Sequence, residues 1–565
     1  MKKYRIIGPP GTGKTEYCIN LIKDLIEKGQ YKLEDFAVFS FTKTAEINFR
    51  KRALSILKVK EDQLDCFRTI HSYAMEKTNI KHDMIIHSPY TDFIKKYSDP
   101  NNQWTKEHVF HGDESTGENL YLNFIDKANL KYGNSLEDVL RLYDESCLFA
   151  DKIKRNILTD IFKKFNDYKK APGSTCYTFS DVIYEFLKTN ISFDNIKVLL
   201  MDEAQDADPL NWKFFDKIEE QAELSYIIGD PNQAIYQFKG AVPEEFLKRE
   251  VTEEIEMPQS YRLPRVIHEF SNKFIHFEKL KRVNFREKPG AEGYLKEIGS
   301  NKEAFELINK LSILNESTFI ISRVKSENKK FELHLFNNNI PWLRVSSHRK
   351  ADGSYWEPII SDKIQSLIKD LDTLLMGDVL TGKELIRLIK AMPAKKTGIF
   401  DNSRSLCKSR LKGEESPINP DHIYSLEYLE QEFKMKIKDK HWTAVLQIEA
   451  PKSLRCTNLQ YYRFIDSLKE KGMLYEKPKF TVATIHAVKG MESENVLLNT
   501  VLTRRPLVNY EQGSGEEKRI MYTGITRAAK RLFLYIPYLQ KYNNHTNNSN
   551  SRKDVYPFFK MMRRV

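Results

Sequence analysis

Eight residues near the start of the chain, Gly8-Pro9-Pro10-Gly11-Thr12-Gly13-Lys14-Thr15, have the types and spacing to hold a triphosphate. They fit G-x-x-x-x-G-K-[ST], a motif whose glycines let the backbone wrap until successive N–H groups face phosphate oxygens. A helix starting at the lysine adds its positive dipole end. In such a loop Lys14 reaches the β- and γ-phosphates and Thr15 ligates Mg²⁺. The bland alternative is a glycine-rich turn without a ligand. The context disfavours it: an apolar run (Tyr4 to Ile7) precedes the loop, and Ile19, Leu21, Ile22, Leu25 and Ile26 follow at helical spacing.

Two further groups carry the chemistry that a bound triphosphate needs. Asp202-Glu203-Ala204-Gln205-Asp206 follows the apolar run Lys197–Met201. An acid at a strand end offers Asp202 as a second Mg²⁺ contact, and Glu203 next to it would orient and deprotonate the attacking water. Gly229-Asp230-Pro231-Asn232-Gln233 follows another strand, which puts Gln233 in reach of a γ-phosphate. The chain continues Ala234-Ile235-Tyr236-Gln237-Phe238-Lys239, with aromatics two apart and a cation behind them. That is a pattern for stacking unpaired bases and touching phosphate, although aromatic residues taken singly are more often core.

Elements able to position these groups are visible in the pattern. Strand-like runs Tyr4–Ile7, Phe36–Phe41, Lys197–Met201 and Tyr226–Gly229 alternate with helical segments, as in a parallel α/β sheet. A second such unit is predicted from about 256, with strands at Phe319–Ile321, Thr481–Ile485, Asn495–Leu498 and Leu532–Tyr535. The expected division is a first α/β unit over 1–87 and 179–255 and a second over 256–349 and 476–540. Largely helical insertions would occupy 88–178 and 350–475, and an Asn/Ser-rich, flexible tail 541–565.

At 565 residues the chain calls for several domains, and its 41% hydrophobic and 12% aromatic content is that of a folded protein. A net charge of +12 favours a polyanionic partner such as nucleic acid. Six scattered cysteines without a C-x-x-C pair argue against zinc, an iron–sulfur cluster or a disulfide scaffold, and fit a reducing cytosol. No apolar stretch is long enough to span a membrane, and the charged start runs straight into the first strand, so neither a membrane partner nor a secretory signal is expected.

Taken in order, further segments join these: Phe39-Ser40-Phe41-Thr42, Thr69-Ile70-His71-Ser72, Ser260-Tyr261-Arg262, Thr484-Ile485-His486-Ala487-Val488-Lys489-Gly490-Met491-Glu492 and Tyr522-Thr523-Gly524-Ile525-Thr526-Arg527-Ala528. The series resembles the motifs of the UvrD/Rep/PcrA group of superfamily 1 DNA helicases, from residue 1 to about 537. The resemblance implies two RecA-like motor domains with ATP at their seam. It also implies an ATP- and Mg²⁺-dependent enzyme that translocates 3′ to 5′ on single-stranded DNA and unwinds duplex at single/double-strand junctions; the oligomeric state stays open, a monomer included. By the same resemblance Lys14, Glu203, Gln233, Arg262 and Arg527 are catalytic, the two arginines acting as fingers from the second domain. Gly8, Pro9, Pro10, Gly11, Thr12, Gly13, Lys14, Thr15 and Glu492 would bind ATP, with Glu492 on the ribose. Thr15 and Asp202 would hold the metal. Phe41, Thr42, Thr69, His71, Tyr236, Phe238, Lys239, Thr484 and His486 would line the DNA. For a lone histidine such as His71 a core role is the usual reading; its motif favours the functional one.

The chain departs from that pattern at several places. Only seven residues precede Gly8, which leaves no room for the upstream glutamine motif that reads adenine. Phe238 and Lys239 replace the usual Trp and Arg, Asn232 stands where many relatives have Asp, and Met491-Glu492-Ser493 replaces Leu-Glu-Phe. Gln233 leads into Ala-Ile-Tyr and not the Leu-Pro-Pro of the 5′-to-3′ group. An ATPase that strips proteins from DNA without productive unwinding stays open as an alternative, as does RNA as the track. A GTPase lacks its N-K-x-D element, and a nuclease fusion lacks room in the roughly forty residues after Arg527. The basic residues Lys395, Lys396, Arg404, Lys408, Arg410 and Lys412 read equally as a duplex contact or as a solvated face.

Overall fold

The computed structural model describes residues 1–41, 43–65, 67–86, 93, 120–145, 153–171, 176–193, 195–276, 280–281, 283–345, 356–391, 418–432, 446, 448–451, 454, 456–511 and 515–537. Thr42, the basic residues between 395 and 412 and the tail beyond 540 lie outside them. Among the described residues two large sheets carry the architecture.

The first sheet contains β1 (Lys2–Ile7), β2 (Phe36–Ser40), β3 (Phe67–Thr69), β4 (Val198–Met201), β5 (Leu224–Gly229) and β6 (Glu253–Glu256) in the order β3-β2-β4-β5-β1-β6, all parallel. Alternation builds its two faces. Ile6, Val38, Val198, Leu200 and Ile228 pack on one side against Cys18, Ile19 and Ile22 of the helix Lys14–Glu27. Ile7, Phe39, Leu199, Met201 and Ile227 pack on the other against the helices Phe179–Lys188 and Pro209–Glu219. A parallel sheet buried on both faces reads as near-continuous apolar runs. That explains why β1, β2, β4 and β5 are legible in sequence. The edge strand β6, Glu-Glu-Ile-Glu, is not, and it pairs with β1, so the first sheet extends through Glu256.

The second sheet joins β7 (Tyr294–Ile298), β8 (Thr318–Ser322), β9 (Trp342–Val345), β10 (Trp356–Pro358), β13 (Phe480–Thr484), β14 (Ser493–Asn499) and β15 (Ala528–Tyr535) in the order β10-β9-β13-β8-β14-β15-β7. All pairs are parallel except β9–β10. Phe319, Ile321, Val496, Leu498, Leu532 and Leu534 face one core; Ile320, Val482, Leu497, Phe533 and Tyr535 face the other. The latter core runs on without a break into the helices Asp362–Leu375, Gly382–Ala391 and Asn458–Glu470, so this insertion folds onto the second sheet. A two-stranded pair, β11 (Leu380–Thr381) with β12 (Ile423–Tyr424), sits inside it.

The insertion of the first unit has its own core among the helices Leu120–Lys131, Leu136–Glu145 and Arg155–Lys169. A buried Lys169–Asp181 pair (2.9 Å) and a Ser180 hydroxyl donating to Asp126 (2.8 Å) fasten it to the helix Phe179–Lys188, which packs on the first sheet. The result is the α/β, two-RecA-like-domain architecture that the sequence predicts, with a helical insertion in each half. No helix among the described residues is long and apolar enough to cross a membrane.

Candidate nucleotide site and the seam between the lobes

The carboxyl ends of the adjacent strands β4, β5 and β1 open onto one crevice, where ligands bind in sheets of this kind. Gly8 follows β1, and the loop through Thr15 turns with Gly11 at φ 76° and Gly13 at φ 80°, left-handed conformations that favour glycine. At Gly8 an added Cβ would stand 2.4 Å from Lys14 Cγ and 2.6 Å from Thr12 Oγ1. The loop is closed on itself: Thr12 Oγ1 donates to Pro9 O (2.8 Å), and Lys14 Nζ to Gly8 O (2.7 Å).

Asp202 follows β4 and meets Thr15 Oγ1 at 3.5 Å. Burial, then the neighbouring Glu203 charge, raises the Asp202 pKa. Glu203 occupies left-handed backbone (φ 57°), a strained conformation for a non-glycine residue of the kind that clusters at functional sites. Its Oε2 accepts from Gln205 Nε2 at 2.5 Å. Burial opposes ionisation of Glu203, but Lys489 (3.7 Å away) and Lys14 outweigh it and hold the carboxyl below its usual range. Gln233, in a helical turn after β5, donates to Asp230 Oδ2 at 2.7 Å. Asn232 beside it uses both ends of its amide: Nδ2 donates to Lys281 O (2.8 Å) and Oδ1 accepts from Leu280 N (2.9 Å).

The second lobe closes the crevice. Ser260 Oγ donates to Pro10 O (2.9 Å) and the Tyr261 amide to Gly11 O (2.8 Å). Arg262 Nε donates to Glu492 Oε2 (2.5 Å), and its Nη1 to Thr526 O (3.4 Å). Arg527 is fully buried and donates to Gln233 Oε1 (2.9 Å), Met491 O (3.0 Å) and Thr523 O (2.9 Å). Burial, reinforced by Arg262, pulls its pKa down. Lys14, Thr15, Asp202, Glu203, Gln233, Arg262, Glu492 and Arg527 therefore belong to one crevice.

Sequence reasoning gave no role to two residues there. Lys489 Nζ donates to Asp206 Oδ2 and, at 3.0 Å, to Gln233 O, and sits 5.2 Å from the Tyr236 ring centroid. Burial works against its charge, but Asp206 and Glu203 more than compensate. Tyr261 is 66% exposed although its backbone is bonded to the phosphate loop. Nothing local in the sequence marks that ring as exposed or as a neighbour of Gly11, 250 residues earlier.

A second group lies along the seam. Tyr236 and Phe238 stand 6.1 Å apart, with His486 5.8 and 5.3 Å from them and Lys239 Nζ 5.4 Å from Tyr236. Phe238 is 47% exposed, whereas Tyr236 packs on the second lobe's core. His486 Nε2 lies 3.1 Å from Ile235 O, and burial drives its pKa down to about 3. Thr484 ends β13, where its Oγ1 accepts from Ala487 N (3.4 Å).

Phe41 follows β2, Thr69 ends β3, and His71 lies in the first turn of the helix after it. Phe41 packs against the first lobe's core. Thr69 Oγ1 caps the helix Ile70–Thr78 by accepting from Ser72 N (3.2 Å). His71 meets Phe179 edge-on at 5.1 Å, and burial lowers its pKa to about 4.

Residues 2–253 match the UvrD/REP helicase N-terminal domain and residues 422–538 the UvrD-like helicase C-terminal domain. The chain belongs to the UvrD/Rep-like superfamily 1 helicases. Its similarity to curated relatives runs nearly end to end. It is 23% identical to a probable DNA helicase II homolog of Mycoplasma genitalium, over 96% of this chain and 83% of that one. Against the ATP-dependent DNA helicase srs2 of Schizosaccharomyces pombe it is 23% identical, over 99% and 73%. Against the ATP-dependent DNA helicase Rep of Buchnera aphidicola subsp. Acyrthosiphon pisum it is 22% identical, over 94% and 91%. This UvrD-like chain is accordingly a helicase-family ATPase.

Proposed function

We propose that this helicase is an ATP-driven motor that moves 3′ to 5′ along single-stranded DNA and unwinds duplex DNA. The observation that carries the reading is the convergence of Arg262 and Arg527, from the second lobe, on a phosphate loop and acid pair built by the first. Phosphoryl transfer needs positive charge at the equatorial and leaving oxygens. Supplying that charge from the opposite lobe couples hydrolysis to closure.

In this reading the loop Gly8–Thr15 wraps the phosphates, and Lys14 exchanges its bond to Gly8 O for phosphate oxygen. Glu203, ionised at neutral pH, orients and deprotonates the attacking water. Gln233, held by both Asp230 and Arg527, senses the γ-phosphate. The Tyr261 face offers a stacking surface for the base and Glu492 an acceptor for the ribose. The Thr15 hydroxyl and Asp202 carboxylate, 3.5 Å apart, are hard oxygen donors of the kind that binds Mg²⁺ beside phosphates, and they would hold it. When bound, that ion neutralises phosphate charge.

DNA would run past Phe41, Thr69 and His71 on the first lobe and Tyr236, Phe238, Lys239, Thr484 and His486 at the seam. The exposed Phe238 ring supports stacking on unpaired bases. Changes in lobe separation would then shift the grip on the strand. The test is strand displacement on 3′-tailed, 5′-tailed and blunt duplexes with each nucleoside triphosphate, beside ATPase stimulation by DNA and RNA oligomers. Unwinding from 3′ tails alone is the expected result. Unwinding from 5′ tails alone reverses the polarity, and DNA-stimulated hydrolysis without displacement identifies a remodeller of protein–DNA complexes.

A further inference from the structure

The segment Ala234–Lys239 is encoded in the first lobe, between β5 and β6, yet it is held by the second. Ile235 is fully buried in the second lobe's apolar cluster with Leu263, Ile267, Ile485, Val488 and Ile520. The backbone around it is gripped from the same side. His486 Nε2 lies 3.1 Å from Ile235 O, and Arg519 Nε donates to Ala234 O (3.4 Å). Arg519 Nη2 donates to Gln237 Oε1. The Phe238 amide donates to Glu516 Oε1 at 3.0 Å. Glu516 and Arg519 both lie on the helix Glu516–Ile525, and both are buried.

First-lobe contacts bracket the segment. Gln233 is tied to Asp230, and Val242 N donates to Ala207 O (3.1 Å). Within it the first lobe supplies two long bonds at the start of the segment, from Ala234 N to Pro231 O (3.3 Å) and from Ile235 N to Asp206 Oδ1 (3.4 Å). Gly240, at φ 98°, follows its last residue in a conformation that favours glycine.

We propose that Ile235, Glu516 and Arg519 are positioning residues that make Ala234–Lys239 a piece of the second lobe, so that lobe separation displaces the Phe238 ring relative to the first lobe. This rests on Tyr236 and Phe238 being base contacts. Glu516 is the sharpest handle. Its carboxylate accepts the Phe238 amide, a charge-assisted bond that an amide acceptor partly replaces and a methyl group does not.

The test uses the full chain with oligo-dT as probe, reading the DNA concentration for half-maximal ATPase stimulation and the rate at saturation. Glu516→Ala is expected to raise the half-maximal concentration about tenfold, with the saturated rate within about twofold of the parent. Glu516→Gln is expected to stay within about threefold on both measures. Arg519→Lys, which keeps charge but loses the two-pronged grip, tests the same idea should Glu516→Ala fail to fold; about a threefold rise is expected. Phe238→Ala separates the two claims. If it weakens DNA stimulation while the Glu516 and Arg519 variants that fold match the parent, the positioning role is overturned and the base-contact reading survives. If Phe238→Ala leaves stimulation unchanged, the base-contact reading falls and the positioning role falls with it.

Discussion

Arg527 Nη2 donates to Gln233 Oε1 at 2.9 Å, joining the last motif of the second lobe to a helical turn of the first. Arg527 is buried, and its hydrogen bonds go to two carbonyls, an amide oxygen and the Thr526 hydroxyl, so no carboxylate is bonded directly to its guanidinium among the described residues. Arg527→Ala should lower kcat for ATP about a thousandfold while changing nucleotide affinity by less than about tenfold, because finger charge acts mainly in the transition state. Steady-state kinetics and a nucleotide-binding titration check this. Equal losses in both would remove the finger role.

Lys14→Ala should abolish measurable hydrolysis, a loss of about a hundredfold or more, since the charge facing the phosphates goes with it. Salt-dependent binding of a single-stranded oligomer, read by fluorescence anisotropy, should persist with its slope unchanged, because the seam aromatics are separate from the loop. Hydrolysis at the parental rate would reject the phosphate-loop assignment.

Gly11→Ala tests the fit between the lobes. A Cβ at Gly11 would stand 2.4 Å from Arg262 Cβ and 2.8 Å from Ser260 Oγ, on backbone already at φ 76°. Stability should fall by about 1–3 kcal/mol and KM for ATP should rise. Thermal melting and kinetics measure the two effects. A parental melting temperature would mean that the lobes do not close at this point.

His71 and His486 are held neutral in the folded protein, with pKa values of about 4 and about 3. An unfolded histidine titrates near 6.5. Between these values the unfolded chain binds protons that the folded one refuses, so the histidines' contribution to stability falls as pH drops. The loss begins near pH 6.5 and continues towards pH 4, at up to about 1.4 kcal/mol per pH unit for each histidine. Asp202, Asp206 and Asp208, raised by burial to about 7, about 6 and about 7, act in the opposite sense over the same range. The histidine effect is therefore read as a difference between variants: from pH 8 to 5 the denaturant midpoint of His71→Gln should fall less, or rise more, than that of the parent. Parallel profiles would contradict the burial of the His71 ring.

Sequence made the candidate nucleotide crevice largely legible because its loop demands rigid types at fixed offsets: glycine where φ is positive, lysine and threonine at a helix start. The central strands were legible for a related reason, burial on both faces. Edge strands such as β6 and β7 were not, because half their side chains meet solvent and Glu-Glu-Ile-Glu carries no apolar period. Lys489 escaped for a different reason. Its partners Glu203, Asp206 and Gln233 lie more than 250 residues away in the chain, and nothing local marks the lysine as buried. Thr69 teaches caution in the other direction, since its hydroxyl already serves as a helix cap whatever else it touches.

Asn232 changes what a one-atom exchange means in this chain. Its amide faces a carbonyl on one side and an N–H on the other, at Lys281 and Leu280. Aspartate there could satisfy the N–H but would set negative oxygen against the carbonyl. Leu280 and Lys281 are thus stitched to the turn Pro231–Gln233 by a donor that only the amide provides, and exchange for aspartate would unpick that stitch.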